Sequence, residues 1–384
     1  MTIFTKKGKK NMKLAELTEI LHELRIPTSL VLTPTNLNTE MEKFLNSEDY
    51  NPQFEYRIVN NKNDKLFQIL ASLESVTDVD PRLSEFYIQL IESKKLSSDL
   101  MHAVGDNVRF TKLSIKRFRM PTPVLFRNAC RVLRRYVSMY DLSEPKKDRR
   151  KMGFDEVAAV INTVLEEFEL KEWSANKSMN IAQNGMKVGV KNKEILIDPN
   201  IETTPSRLRK SIVHEFTHVI RSHNGLKTGY EALSKPTYGD YLEVEEGLAV
   251  YNEEIMGLLS YSDLRKGAVS AWGTYIGQEM SFRELHNVYS SIYTKKNAFL
   301  RVLRVKRGLG DTSMPGIYSK DVAYFRGFRR VRKKCAEDAT LYAKLYAGKI
   351  NFKQVSWVDD GLIRKPAIVP SKQRFEKAFK KAGI

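Results

Sequence analysis

Residues 204–225, with the sequence TPSRLRKSIVHEFTHVIRSHNG, predict one amphipathic helix whose two ends are marked in the sequence. Thr204 carries a typical N-cap hydroxyl, and Pro205 suits the first helical position, where its missing N–H is not needed. Asn224 followed by Gly225 is a common stop signal at the C-terminal end. We expect this helix to pack on a core through the apolar residues that recur at helical spacing: Leu208, Ile212, Phe216 and Val219.

The same helix carries a pattern that is typical of a metal site. His214 and His218 are four residues apart, so both imidazoles project from one face, and Glu215 follows the first histidine. In this H-E-x-x-H pattern the two imidazoles hold Zn²⁺ and the glutamate serves as general base toward a water molecule. The alternative is a pair of surface or capped histidines without a metal. The marked helix ends and the apolar back face favour the zinc interpretation.

A catalytic zinc ion needs a third protein ligand, and the acidic segment 240–254 is the nearest source. Glu246 is the predicted ligand, because it directly precedes Gly247 and small apolar residues on a second predicted helix. That arrangement is typical of zinc peptidases whose third ligand is a glutamate. Glu243 and Glu245 stay open as alternatives.

The length and the hydrophobic pattern predict a mixed α+β chain. With 384 residues and 42% apolar side chains, the chain is long enough for about two domains and can fill a core. Helical periodicity dominates, but two alternating segments within 186–197 flank a polar turn and predict a β-hairpin. The predicted parts of the chain are a mainly helical N-terminal region (1–150, with 1–12 flexible), a metallopeptidase core (151–345) and a basic C-terminal segment (346–384).

Basic residues are distributed unevenly. The net charge is +18, from 64 Lys and Arg against 46 Asp and Glu. Residues 301–384 contain 21 basic and 7 acidic side chains, so most of the excess charge lies there. A concentration of positive charge attracts anionic partners, such as nucleic acid, an acidic protein tail or an anionic surface. Solvated helix faces explain the same composition without any partner.

Cysteine usage and the lack of long apolar stretches predict a cytoplasmic protein without a membrane partner. Cys130 and Cys335 are too few for a disulfide framework or an all-cysteine zinc site. No stretch approaches the ~18 uninterrupted apolar residues that span a bilayer. The first residues, MTIFTKKGKKNMK, are basic but lack the apolar region of a secretory signal.

Several motifs, in the same order, resemble the QEGLA-motif family of zinc peptidases, whose animal members are the microtubule-associated tyrosine carboxypeptidases. The resemblance runs from about residue 33 to about residue 345 and is carried by TPTNLNTEMEKFL, YNPQFEY, VHEFTHVIRSHNG, YLEVEEGLAVYNEE, RVKRGL and YSKDVAYFRGFRRV. It implies a zincin core of the gluzincin-like kind. Two departures stand out: Glu245 replaces the glutamine of the family's nickname, and the histidines are four rather than five residues apart. Four is the spacing that a regular α-helix places on one face.

The resemblance implies removal of a C-terminal residue, with an aromatic residue as the implied preference. Glu215 is expected to pass a proton from water to the leaving amine, and Tyr324 is predicted to stabilise the oxyanion. A free terminal carboxylate also requires a cation in a closed pocket. The candidate cations are Arg221, which follows the histidines on the helix, and Lys320 and Arg326 in the family-like segment. Asp321 is a candidate to orient a ligand imidazole.

Two alternatives stay open. A zinc endopeptidase or aminopeptidase would use the same metal chemistry with a different pocket. A basic nucleic-acid-binding protein with a structural metal belongs to another class, but structural zinc is usually held by four Cys or His ligands, and no nucleic-acid-binding signature is found. The predicted partner is therefore the C-terminus of a peptide or protein, an acidic one given the basic end of this chain. The hairpin at 186–197 offers an edge to an extended substrate.

Overall fold

A computed structural model describes residues 10–24, 26–58, 63–138, 150–179, 185–235 and 241–384 of the chain. Most of the predicted flexible leader (1–12) lies outside these residues. The described chain is a helix-rich α+β fold with two small sheets, as predicted.

The helices of the described chain are α1 (Leu14–Glu23), α2 (Thr28–Val31), α3 (Leu37–Leu45), α4 (Asp64–Ala71), α5 (Pro81–His102), α6 (Asn107–Phe118), α7 (Pro123–Ser138), α8 (Phe154–Glu167), α9 (Pro205–Leu226), α10 (Tyr241–Ile255), α11 (Tyr261–Ile276), α12 (Phe282–Ser290), α13 (Lys295–Lys306), α14 (Val322–Glu337), α15 (Leu341–Lys344), α16 (Ser356–Asp359) and α17 (Lys372–Lys381). Short 3₁₀ turns cover Glu231–Leu233, Gly277–Glu279, Leu345–Ala347 and Phe352–Gln354. The strands are β1 (Lys10–Lys13), β2 (Leu73–Thr77), β3 (Ser174–Lys177), β4 (Met186–Gly189) and β5 (Glu194–Ile197).

The chain divides into two compact units that alternate along the sequence. The first unit comprises Met1–Leu133 and Lys266–Ala323, and the second comprises Arg134–Arg265 and Tyr324–Ile384. Residues 266–323, which the sequence prediction places in the metallopeptidase core, thus group with the N-terminal region. The predicted domain boundaries at 150 and 345 stay predictions.

The first unit has an aromatic core and one parallel strand pair, β1 with β2. Phe44 packs edge-on against Phe282 and Phe299, with ring centroids 5.1 and 5.2 Å apart. Phe54, from the aromatic segment YNPQFEY, joins the same cluster. Aromatic pairs of this geometry add stability beyond the area that they bury.

The second unit is built around α9, as the apolar stripe of its sequence predicts. Leu208, Ile212, Phe216 and Val219 are at most 1% exposed and lie in one hydrophobic core. The hydroxyl of Thr204 accepts a hydrogen bond from the backbone N–H of Arg207 at the predicted N-terminus. These contacts confirm the predicted helix and its buried face.

The predicted end of α9 is wrong by one residue, and Gly225 has a packing role in place of the predicted stop. The helix continues to Leu226, so Gly225 lies inside its last turn rather than beyond it. A Cβ atom at Gly225 would stand 2.1 Å from the carbonyl oxygen of Leu233. Glycine is needed there because another backbone segment approaches closely, not because the helix stops.

The predicted β-hairpin is confirmed. Strands β4 and β5 pair antiparallel, with Met186 opposite Ile197 and Gly189 opposite Glu194. Strand β3 pairs in parallel with the other side of β5, so β4 is an edge strand of this sheet.

The C-terminal segment packs on the core of the second unit. Phe375 and Phe379 on α17 are buried in the same core as α9. Arg374 donates hydrogen bonds to the carbonyl oxygen of Glu167, at the end of α8. The basic residues of α17 therefore lie on a folded amphipathic helix. No helix in the described parts of the chain is both long enough and apolar enough to cross a membrane.

Candidate metal centre

Helices α9 and α10 bring three ligand-type side chains together within the second unit. His214 and His218 lie one turn apart on α9, and Glu246 lies on α10. The Oε2 atom of Glu246 is 3.5 Å from Nε2 of His214 and 3.9 Å from Nε2 of His218. Among the described His, Cys, Asp and Glu side chains, these three form a group whose ligand atoms all lie within 4.8 Å of one another.

This donor set fits zinc. Imidazole nitrogen and carboxylate oxygen bind zinc at about 2.0–2.2 Å, so two ligands of a tetrahedral ion lie about 3.3 Å apart. The separations of 3.5 and 3.9 Å from Glu246 to the two imidazoles are close to that value. Three protein ligands leave one coordination position for water or substrate, which is the pattern of catalytic zinc sites.

The other ring nitrogen of each histidine is held by a carboxylate. Nδ1 of His214 is 2.8 Å from Glu253 Oε1, and Nδ1 of His218 is 2.8 Å from Glu245 Oε1. Because a carboxylate accepts, each Nδ1 carries a hydrogen, and Nε2 is the nitrogen of each ring that is placed to bind a metal. Carboxylates commonly orient ligand imidazoles in this way.

Sequence reasoning missed the orienting role of Glu245 and Glu253, and it named a different residue. Asp321, the predicted partner of an imidazole, belongs to the first unit and pairs there with Arg304. The signal for Glu253 was its position seven residues after Glu246, two helical turns along the same face of α10.

The two other candidate ligands, Glu243 and Glu245, bind other side chains and do not face the two Nε2 atoms. Glu243 accepts hydrogen bonds from Arg326 Nε and Arg330 Nη1, both at 2.6 Å, and is almost fully buried. Glu245 holds His218 and is paired with buried cations. Of the three candidates, Glu246 is the one whose carboxylate faces both Nε2 atoms.

The electrostatics of the cluster favour a bound cation. Burial alone would lower the pKa of His214, but the hydrogen bonds that its ring donates to the carboxylates of Glu246 and Glu253 raise it well above its usual value. Burial alone would raise the pKa of Glu245, but the charges of Lys349 and Arg221 hold it well below its usual range. The carboxylates around the two imidazoles therefore attract positive charge, and a metal ion competes with a proton for that place.

Glu215 is poised beside the ligand group. It follows His214 on α9, and burial raises the pKa of its carboxyl above the usual value. Among the described residues, none makes a hydrogen bond to the Glu215 carboxylate. The carboxylate is thus available to a water molecule at the centre, which is what a general base requires.

The predicted substrate cations occupy different positions. Arg221 is fully buried, and its guanidinium nitrogens bind Glu245 and three backbone carbonyl groups. Each of the three guanidinium nitrogens of Arg221 therefore binds a group of the protein, and its role as a substrate cation stays a prediction. Arg326 lies on α14 and binds Glu243, and Tyr324, two residues earlier, is partly buried. Lys320 belongs to the first unit, and the substrate roles of Lys320, Tyr324 and Arg326 stay predictions.

The small residues around Glu246 let α10 approach another helix. A Cβ atom at Gly247 would stand 2.2 Å from the carbonyl carbon of Gly327 on α14. A Cβ atom at Gly327 would stand 1.9 Å from the carbonyl oxygen of Glu243. The two helices therefore touch backbone to backbone, and this contact fixes the rotation of α10 that points Glu246 at the histidines.

Replacing Gly247 by Ala is expected to lower the free energy of unfolding by about 3 kcal/mol, because the added methyl group has no space between two backbones. Chemical denaturation measures the change. Gly153→Ala is the control, because a Cβ atom there meets nothing within 4 Å, and its cost should stay below about 1 kcal/mol. Equal midpoints for the two variants would show that the close contact of α10 with α14 is not required.

A helix that carries H-E-x-x-H, packed in an α+β fold against a second helix that supplies a glutamate, is typical of peptidases. A family model described as microtubule-associated tyrosine carboxypeptidase matches residues 42–381, and the chain belongs to this family of carboxypeptidases. The match confirms the resemblance inferred from the sequence motifs and extends past residue 345 into the C-terminal segment. No curated protein matches the sequence.

Proposed function

We propose that the protein is a zinc-dependent carboxypeptidase with a gluzincin-like core, which removes a C-terminal aromatic residue from a peptide or protein. The observation that carries the proposal is the convergence of both Nε2 atoms and the Glu246 carboxylate. The charge of Glu215 interacts with all three side chains. Family membership supports the carboxypeptidase class. The preference for an aromatic residue is taken from the family's description, which names tyrosine.

The residues of the chain have separate tasks in this reaction. His214, His218 and Glu246 would hold zinc, which supplies Lewis-acid polarisation of the scissile carbonyl and lowers the pKa of water. Glu215 takes a proton from the attacking water and delivers it to the leaving amine. Glu245 and Glu253 keep the two imidazoles oriented throughout.

The residues that would bind the C-terminal end of the substrate are proposed from their charge. A C-terminal carboxylate needs a cation, and with Arg221 committed to Glu245 the candidates are Lys320 and Arg326. Tyr324 is proposed to donate a hydrogen bond to the oxyanion that forms during attack. The excess of basic residues in 301–384 suits an acidic protein tail, and the edge strand β4 is available to an extended peptide.

A peptide library with free C-termini is expected to lose one residue from that end, and C-terminal amidation should slow the loss by about 10- to 100-fold, because a charge-assisted hydrogen bond to the carboxylate is lost. Mass spectrometry of timed digests measures both rates. N-terminal acetylation of the same peptides is the control and should leave the rate unchanged.

The pattern of products separates the alternatives. Internal cleavage of the amidated peptides at an undiminished rate would identify an endopeptidase. Loss of residues from the free N-terminus, blocked by acetylation, would identify an aminopeptidase. Either pattern would contradict the carboxypeptidase proposal while leaving the metal site in place.

A further inference from the structure

Residues 345–350, here called the clasp, are fastened to the helix that carries both histidines. Nε of Arg221 donates to the carbonyl oxygens of Leu345 and Gly348 at 3.0 and 2.9 Å, and Nη2 donates to that of Ile350 at 2.5 Å. Asn224, one turn further along α9, donates to the carbonyl oxygen of Tyr346 at 2.8 Å. The clasp thus presents its backbone acceptors to buried donors on α9.

The clasp also places a lysine against the carboxylate that holds the His218 ring. Lys349 is 2% exposed, and its Nζ atom donates to Oε1 of Glu245 and, at 3.2 Å, to the backbone carbonyl oxygen of His218. The same Oε1 atom of Glu245 accepts from Nδ1 of His218 at 2.8 Å, while Oε2 accepts from Arg221. Lys349 therefore touches both the carboxylate that orients the His218 ring and the backbone from which that ring projects.

These contacts constrain Glu245 from several sides. A buried carboxylate needs its lone pairs satisfied, and here they are shared between one imidazole and two cations. If Lys349 is removed, Arg221 and His218 remain as partners, but Oε1 loses the donor that fixes its position against the ring. The orientation of His218 Nε2 then becomes less well defined.

We propose that the clasp is part of the metal centre, and that Lys349 is a positioning residue which sets the orientation of His218 through Glu245. Zinc affinity then depends on a side chain 131 residues away in sequence from the histidine that it positions. This inference rests on the proposed zinc-dependent function. Metal binding and docking of the clasp on α9 are then coupled, so that each stabilises the other.

The test compares two buried lysines in the full-length chain. Lys349→Met is expected to weaken zinc binding by about 10- to 100-fold, the usual effect of losing a group that orients a metal ligand. Lys306→Met is the matched control: Lys306 is also fully buried, but its Nζ atom donates to the backbone carbonyls of Gly277, Met280 and Gly316 in the first unit. Competition with a chromogenic chelator measures zinc affinity for the folded fraction of each variant.

A second pair of variants keeps the inference testable if Lys349→Met does not fold. Glu245→Gln and Glu243→Gln each neutralise a buried carboxylate on α10 that is held by two cations, but only Glu245 contacts a histidine. We expect a weaker zinc complex for Glu245→Gln and wild-type zinc affinity for Glu243→Gln.

The proposed coupling between zinc binding and docking of the clasp can be measured without an activity assay. Because linkage is reciprocal, adding zinc should slow amide hydrogen exchange in residues 345–350 of the wild type and should do so less in Lys349→Met. Unchanged zinc affinity in Lys349→Met and Glu245→Gln, or equal losses in their controls, would overturn the inference and leave the proposed function intact. A wild-type chain that binds no zinc would overturn both.

Discussion

Replacing Glu215 by Gln is expected to slow peptide hydrolysis by about 100- to 10,000-fold while the protein keeps its zinc. The substitution preserves the size of the side chain and removes only its ability to accept a proton. Glu215 follows His214 on α9 but is not one of the three side chains whose ligand atoms converge. Hydrolysis rates on a fixed peptide substrate, together with zinc content from elemental analysis, measure the two effects separately.

Glu166→Gln is a suitable control for this experiment. Glu166 lies on α8 in the second unit, its side chain is 68% exposed, and it pairs with Lys381 at the surface. Its replacement should change neither hydrolysis nor zinc content. Turnover near the wild-type rate in Glu215→Gln would remove Glu215 from the role of general base.

Replacing either His214 or His218 by Ala is expected to weaken zinc binding by about 1,000-fold or more. Protein zinc sites bind with roughly 10–16 kcal/mol in total, so each of three ligands carries several kcal/mol. Loss of one imidazole also leaves its orienting carboxylate, Glu253 or Glu245, without that partner. Dialysis against a chelator followed by elemental analysis measures the retained metal, and hydrolysis should fall in parallel.

The acidic ligand is tested in the same assay. Glu246→Ala should lose zinc as the histidine variants do, because its carboxylate lies 3.5 Å from the His214 nitrogen. Glu243→Ala should retain zinc, because Glu243 is committed to Arg326 and Arg330. Equal zinc losses in these two variants would mean that the wrong carboxylate has been chosen.

The parts of this site that the sequence predicts are those with local causes. The cap at Thr204, the apolar stripe and the four-residue spacing of the histidines are all set within one helix, so they could be read before any tertiary contact was known. The hairpin of β4 and β5 was predictable for the same reason, since alternation around a short turn is also local.

The parts that the sequence does not predict depend on contacts between distant segments. Successive helical residues point about 100° apart, so the choice among Glu243, Glu245 and Glu246 depends on the rotation of α10. That rotation is fixed by the Gly247 contact with Gly327 on α14, 80 residues away.

The surroundings of Arg221 show what a local argument leaves out. Three residues after His218, it lies near the metal-binding side of α9 and looked suited to bind a substrate. In the structure the clasp covers Arg221, and carbonyl groups of the clasp accept hydrogen bonds from its Nε and Nη2 atoms. The same distant segment supplies Lys349, for which the sequence contained no signal.

The proposed chemistry requires that two imidazoles and one carboxylate share a single zinc ion. The most direct measurement is crystallography of the zinc-loaded protein, with anomalous diffraction collected on both sides of the zinc absorption edge. We expect one zinc peak per chain, about 2.0–2.2 Å from Nε2 of His214, Nε2 of His218 and a carboxylate oxygen of Glu246, with solvent at the remaining position. A zinc-loaded crystal without a peak between these three side chains, or with zinc enclosed by four protein ligands elsewhere, would contradict it.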